Sequence, residues 1–385
     1  MNRLKLISVI LAVLVFPGCI ERSAENSDEP IPVTDVLRGD PARSFAQVDR
    51  PREFLFPADH GPHNEYRTEW WYFTGNVNAG EERRFGYQLT FFRFRPRVEE
   101  QTGSSRWRAG HFYMAHFALT DIDNKKIHTF ERFSRAAAGL AGASTGELHV
   151  WLDDWSAAAT SRETFPLRIR AGEDRIALDL NLEQGKAVVL HGEDGVSAKN
   201  DEPGNASYYY SYTRMPTGGR ISVAGDTYAV SGNSWMDREW SSSALGEEQL
   251  GWDWFALQLS NEHELMYYRF RRTDGAVDRF SYGAVILPDG SVSTLSFDQV
   301  ELEVLDTWLS LASGVTYPSA WRLRVPEHGL DLNIRPAVAD QELDLSFRYW
   351  EGAVEIDGVF GDSSVNGRGY VELTGYGTTS APRIR

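Results

Sequence analysis

Ile176, Leu178, Leu180 and Leu182 alternate with polar residues, a period of two that puts one face of an extended chain on a core and the other in water. The same alternation recurs at Val300/Leu302/Val304, Leu330/Leu332/Ile334 and Leu343/Leu345/Phe347, and each run is read as a half-buried strand. Aromatic and β-branched runs bounded by glycine, asparagine and proline predict strands over 70–77, 85–95 and 112–119. Beyond the N-terminal leader, no stretch has the length and period of a long amphipathic helix. Residues 241–249 read as a short helical or loop connection. With 385 residues the chain exceeds one small core and suits two domains.

The pattern also repeats itself. Trp70-Trp-Tyr-Phe73 precedes Leu89-Thr-Phe-Phe-Arg-Phe-Arg95, and Trp252-Asp-Trp-Phe255 precedes Leu265-Met-Tyr-Tyr-Arg-Phe-Arg271. Val230-Ser-Gly-Asn-Ser-Trp-Met-Asp237 parallels Val365-Asn-Gly-Arg-Gly-Tyr-Val-Glu372. Two matched starts and two matched ends, in the same order, indicate an internal duplication. Short strands with little helix close most simply into antiparallel barrels, which also removes the edges that promote aggregation. The expected architecture is all-β, with two consecutive barrels over 51–240 and 241–385; a two-sheet sandwich per unit is the alternative.

Composition adds an address and removes some functions. Arg3 and Lys5 followed by an apolar run over 6–16 read as a signal segment over 1–18, too short to span a bilayer. The run ends at Phe16-Pro17-Gly18-Cys19, similar to a bacterial lipobox, and Cys19 is the single cysteine, so no intramolecular disulfide can form. The expectation is an exported envelope protein held to a membrane by acyl chains on Cys19; an ordinary signal with an incidental cysteine is the competing reading. Residues 19–50, rich in Ser, Pro, Asp and Glu, read as a flexible tether. The net charge of −16 repels nucleic acid and excludes it as a partner.

Chemistry concentrates at the junction of the repeats. Asp237, Glu239 and Asp253 lie among Trp235, Trp240, Trp252 and Trp254. On a strand Asp237 and Glu239 share one face, and Arg238 and Trp240 share the other. An acid walled by indoles is desolvated and holds its proton toward neutral pH, which suits a proton donor. The competing reading pairs these acids with arginine and makes them structural. His60 and His63 flank a Gly-Pro turn beside Glu69. Without an independent third ligand they read as hydrogen-bonding groups at a barrel mouth rather than as a metal site. His116 either points into a cavity or caps a buried acid such as Glu69. No G-x-S-x-G elbow accompanies Ser234 or the serines at 241–243, and no Walker or dinucleotide glycine motif is present, so no nucleotide cofactor is expected.

His60-Gly-Pro-His63, Glu69-Trp-Trp-Tyr-Phe-Thr-Gly75, Ser234-Trp-Met-Asp-Arg-Glu-Trp240 and Gly251-Trp-Asp-Trp-Phe255 together resemble the AttH-like group of the carotenoid 1,2-hydratase (hydroxyneurosporene synthase) superfamily. The resemblance spans about residues 54–377. It implies two lipocalin-like (calycin) barrels with an apolar-ligand pocket between them. Residues expected there are His60, His63, Glu69, Trp70, Trp71, Tyr72, His116, Trp235, Arg238, Trp240, Trp252 and Trp254. The family includes hydratases that add water to an isolated double bond of an acyclic carotenoid. A histidine and a tryptophan spaced His-x-Trp contribute there, with an aspartate farther on. Trp240 matches the tryptophan and Asp253 the aspartate, but Arg238 stands in the histidine's place and cannot cycle a proton at neutral pH. The resemblance implies either a carrier of a small hydrophobic ligand, partnered with an envelope ABC transporter, or a cofactor-independent hydro-lyase. In the latter, Asp237 would protonate the alkene and Asp253 or Glu239 would deprotonate water.

Overall fold

The structure, a computed structural model, describes residues 45–81, 83–95, 110–242, 245–246 and 248–377. The stretch read as a signal, most of that read as a tether, and Cys19 lie outside the described residues. The regular structure described is strand, with two short 3₁₀ turns at Ala58–His60 and Pro326–His328. The strands form two antiparallel sheets, each curled into a barrel-like body around its own core.

In the first sheet, Thr68–Ala79 lies between Arg83–Phe94 and Asp226–Ser241, and Asp226–Ser241 continues to Ala206–Val223. In the second, Gln249–Leu259 lies between Glu264–Arg272 and Ser363–Leu373, and Ser363–Leu373 continues to Arg348–Phe360. First strand, its hairpin partner and last strand therefore occupy the same places in both sheets. The repeat visible in the sequence is a repeat of topology.

Alternation divides each first strand between two destinations. Trp71 and Phe73 enter the first core, while Tyr72 turns to a second layer in which it packs with Tyr209, Trp235, Trp254, Ala256, Met266, Tyr268 and Tyr370. Phe255 and Leu257 enter the second core. The layer between the barrels thus takes one face from each sheet. Gly86 sits where they approach most closely: a Cβ there would fall 2.7 Å from both the Ala353 Cβ and the Tyr370 hydroxyl.

Among the described residues of 241–249 no helix forms, and the stretch is a loop connection, the other form expected for it. One expectation is corrected locally. Glu301–Leu309 is a strand at the sheet edge, but its register shifts around Asp306. That irregularity breaks the two-residue period and leaves Val304, Leu305 and Leu309 exposed.

Candidate functional site

Between the barrels lies a cavity of about 140 Å³. Its first-barrel wall comes from alternate residues of adjoining strands: Trp70 and Tyr72, Gln88 to Phe94, Met114 and His116, and Asp237 and Glu239. The second barrel contributes Trp252, Trp254, Tyr268, Phe270, Tyr349, Glu351 and Glu372. Aromatic faces enclose a small number of carboxyl groups.

Asp237 is 4 % exposed. It accepts hydrogen bonds from the Tyr209 hydroxyl at 2.5 Å, the Ser211 hydroxyl at 2.5 Å and the Trp235 indole N–H at 2.6 Å. Among the described residues no arginine or lysine pairs with it. Burial pushes its pKa up to about 7, against those three donors, and the nearby Glu239 charge acts in the same direction as burial. Glu239 differs: Lys199 Nζ stands 2.8 Å from it and the Ser207 hydroxyl donates to it.

Across the cavity, Glu351 and Glu372 are register partners on neighbouring strands, so their side chains leave the same face of the second sheet. The Tyr72 hydroxyl donates to Glu351 at 2.5 Å, Tyr349 also bonds to it, and the Trp252 side chain bonds to Glu372. Burial raises the pKa of both carboxyls. The Glu372 charge adds to this at Glu351, and the Asp237 and Glu239 charges add to it at Glu372. His116 Nδ1 lies 2.7 Å from the Tyr349 hydroxyl. Burial pulls its pKa down to about 3, so the imidazole is neutral and serves this tyrosine rather than Glu69.

Asp253 points the other way, into the mouth of the second barrel. Arg269 and Arg271 pair with it at 2.6 and 2.9 Å, and the Tyr376 hydroxyl donates at 2.9 Å. Of the expected acids, then, Asp253 is an ion-pair centre and is not brought to the cavity.

A second group of expected site residues closes the end of the first barrel instead. Glu69, fully buried, is clamped by Arg93 and by Arg238 Nη2, the latter at 2.8 Å. Burial alone would raise its carboxyl, but the two guanidinium charges win and hold it well below the usual range. Arg238 also lies over the Trp71 ring at 3.8 Å, and His63 stacks on Trp240 with ring centroids 3.7 Å apart. His60 Nδ1 meets the Tyr210 hydroxyl at 2.5 Å and its Nε2 meets Thr164, whereas His63 Nε2 meets Asp59 at 3.1 Å. The two histidines therefore serve different partners and do not converge. His60, His63, Glu69, Trp71, Arg238 and Trp240 form this plug because they lie on the core-facing parity of their strands or on the turn that covers it.

Glu351, Glu372, Tyr209, Tyr349 and Gln88 were not read from the sequence as site residues. One of them had a signal: Glu372 is the repeat counterpart of Asp237 in the matched last strands. His191 Nε2 meets the Ser211 hydroxyl at 2.7 Å, and Ser211 in turn donates to Asp237. That order places the serine between histidine and acid, with no base free to activate it, which is not the arrangement of a serine hydrolase.

Two curled antiparallel barrels joined along a cavity of indoles, phenols and buried carboxyls define an all-β two-barrel protein. Residues 47–376 match the AttH-like family, and the chain belongs to it. A crystal structure of a candidate AttH from Nitrosomonas europaea is 33 % identical, with a TM-score of 0.76 over 86 % of this chain and 100 % of that one. Kievitone hydratase from Nectria haematococca shares the fold at 16 % identity, TM-score 0.65, over 87 % of this chain and 97 % of that one. CghA with Sch210972 shares it at 14 % identity, TM-score 0.55, over 89 % and 97 %. No curated protein matches the chain.

Proposed function

We propose that the protein is a hydro-lyase that needs no cofactor and adds water to an isolated carbon–carbon double bond of an apolar, isoprenoid-like ligand held between the barrels. Asp237 is one of the carboxyls that exchange a proton with the reacting partners. The observation that carries this reading is the state of Asp237: buried on the cavity wall, bonded only to neutral donors, with no cation paired to it. Asp253 and Glu69, by contrast, are each locked to two arginines and lie off the cavity. The resemblance of the fold to kievitone hydratase supports the same class.

The reaction asks little of the protein. A proton is delivered to one alkene carbon, using the π electrons to form the C–H bond. The cation left on the other carbon faces the π clouds of Trp254, Trp252 and Tyr268. Water forms the C–O bond and gives up a proton to a carboxylate. The aromatic walls exclude further water.

The test uses an acyclic carotenoid with an isolated terminal double bond as the probe. The wild-type protein is expected to convert it to the tertiary alcohol, a gain of one water by mass spectrometry. Asp237→Asn is expected to lose roughly 100-fold or more of that activity, in line with removal of a general acid or base. The same variant is expected to keep quenching of tryptophan fluorescence by the probe. Unchanged turnover in Asp237→Asn rejects the assignment; binding without turnover by the wild type makes the protein a carrier of such ligands. The lipid anchor on Cys19 belongs to the same proposal, because an envelope address suits a lipophilic ligand. Mass spectrometry of the mature N-terminus from the native host decides it, and an unmodified Cys19 refutes it.

A further inference from the structure

Asp237 and Glu372 occupy matched positions in the duplicated strands: Asp237 is the register partner of Tyr72 on the first strand of its sheet, and Glu372 of Trp254 on the first strand of the other. Their neighbours on the far side are matched too, and there the barrels differ. Asp237 pairs in register with Ser211, and Glu372 pairs with Glu351. A serine hydroxyl donates to its neighbour and favours the ionised form. A second carboxyl repels a second negative charge and favours the protonated form. One substitution between the repeats thus gives two equivalent acids different neighbours, a hydroxyl donor beside Asp237 and a second carboxyl beside Glu372. Both line the same cavity.

Resting on the hydro-lyase reading, we infer that Glu372, paired with Glu351, delivers the proton that starts the reaction, and that Asp237 is the carboxylate that takes the proton of the attacking water.

The surroundings of each group agree. Glu351 is 2 % exposed and held by Tyr72 and Tyr349, which fixes it behind Glu372 as a positioning residue. Glu372 is the more accessible of the two on the cavity wall. Burial and neighbouring negative charge raise both, whereas Tyr209, Ser211 and Trp235 all donate to Asp237. Three donors hold the Asp237 carboxylate while a second carboxyl stands beside Glu372, and that difference in neighbours assigns acceptor and donor. The cavity also contains a group that calls for a hydroxylic occupant. The Gln88 side-chain carbonyl is buried on its wall and accepts no hydrogen bond from the described residues, while the amide nitrogen donates to Thr90 at 2.5 Å. A water or an alcohol in the cavity satisfies it.

The steps balance. The Glu372 O–H bond breaks and a C–H bond forms from the π pair. Water oxygen then forms the C–O bond, and one water O–H bond breaks as Asp237 takes the proton. Return of that proton from Asp237 to Glu372 closes the cycle, with one water consumed and no other reactant.

The experiment follows the carotenoid probe in D₂O and reads two products: deuterium in recovered alkene, which reports protonation alone, and alcohol, which reports the complete reaction. Glu372→Gln is expected to lose both, by roughly 100-fold or more. Asp237→Asn is expected to lose alcohol by a similar factor and to keep deuterium exchange within about threefold of wild type. Glu239→Gln is expected to move the alkaline limb of the pH–rate profile to lower pH, because the Glu239 charge is one of those that make Glu372 hold its proton; an unmoved limb would separate Glu372 from that limb and overturn its assignment as donor. The reverse result, exchange lost in Asp237→Asn and kept in Glu372→Gln, overturns the assignment. Should the wild type neither exchange nor hydrate the probe, the hydro-lyase reading fails by itself. The proton assignment is then decided by ¹³C NMR titration of carboxyl-labelled protein. Asp237 losing its proton at lower pH than Glu372, with the Glu372 titration falling in Glu239→Gln, upholds it; the opposite order overturns it.

Discussion

The hydroxyl of Tyr72, on the first strand of the first barrel, donates to Glu351 of the second barrel at 2.5 Å. This bond crosses the layer between the barrels at the cavity wall, so the fold's joint and the candidate site share atoms. The joint has other polar ties, among them Trp254 to Tyr209 at 3.1 Å and Lys186 to Glu264 at 2.7 Å. The barrels are therefore fixed to each other on several sides of the cavity.

Tyr72→Phe removes the cross-barrel donor and leaves Glu351 with one bond fewer in a buried setting. The expected cost is about 1–2 kcal/mol of stability, the loss of one buried hydrogen bond plus its unsatisfied acceptor. Denaturant unfolding followed by tryptophan fluorescence measures it. Stability equal to wild type would show that the two barrels do not depend on this contact.

The buried acids give stability a definite pH dependence. Asp237 has a folded pKa of about 7 against an ordinary value of 3.8, so the folded state holds this proton more tightly than the unfolded state does. Its favourable contribution is complete below about pH 4 and is lost as pH rises through about 7. Asparagine carries no such penalty. Asp237→Asn is therefore expected to gain stability relative to wild type between pH 4.5 and pH 8, measured as the difference in thermal midpoint at the two values. A constant difference across that window would contradict a raised Asp237 pKa.

Asp253 makes the opposite prediction. Its carboxylate is shared by Arg269 and Arg271, and removing its charge leaves two guanidinium groups half-compensated in a largely buried site. Asp253→Asn is expected to cost roughly 3–5 kcal/mol. At temperatures where the variant is folded, its turnover is expected to stay within about threefold of wild type, because Asp253 does not line the cavity. A selective loss of kcat with unchanged unfolding would return Asp253 to the site.

Glu69 provides the acid-side counterpart. Its pKa is held low, so its contribution is present above the ordinary carboxylate range and is lost as pH falls below it. Glu69→Gln is expected to destabilise by roughly 3–5 kcal/mol near neutral pH, leaving Arg93 and Arg238 without a buried counter-charge. The deficit relative to wild type is expected to shrink in acid. Equal stability of variant and wild type at pH 7 would remove the network from the account of the fold.

Much of this protein is written in local periodicity. Alternation marks the strands, the matched Trp-rich starts and glycine-punctuated ends reveal the duplication, and parity separates Asp237 and Glu239 from Arg238 and Trp240. These are properties of neighbouring residues on one strand, which is why the chain alone determines them. Which parity faces a ligand is another matter. From Ser234 to Ser241 both faces of the strand carry charge and indole, and both are buried: one against the plug of Glu69 and Arg93, the other against a second barrel. Only the docking of that barrel sorts them. The same holds for Asp237 and Asp253, two acids beside tryptophan in sequence. Arg269 and Arg271 reach one of them across a hairpin, and none reaches the other. Glu372 had a legible counterpart, yet its chemistry depends on Glu351, which lies beside it only because two strands pair in register. Proton affinity is set by every charge and donor within a few ångströms, and in a β-barrel protein those arrive from distant parts of the chain.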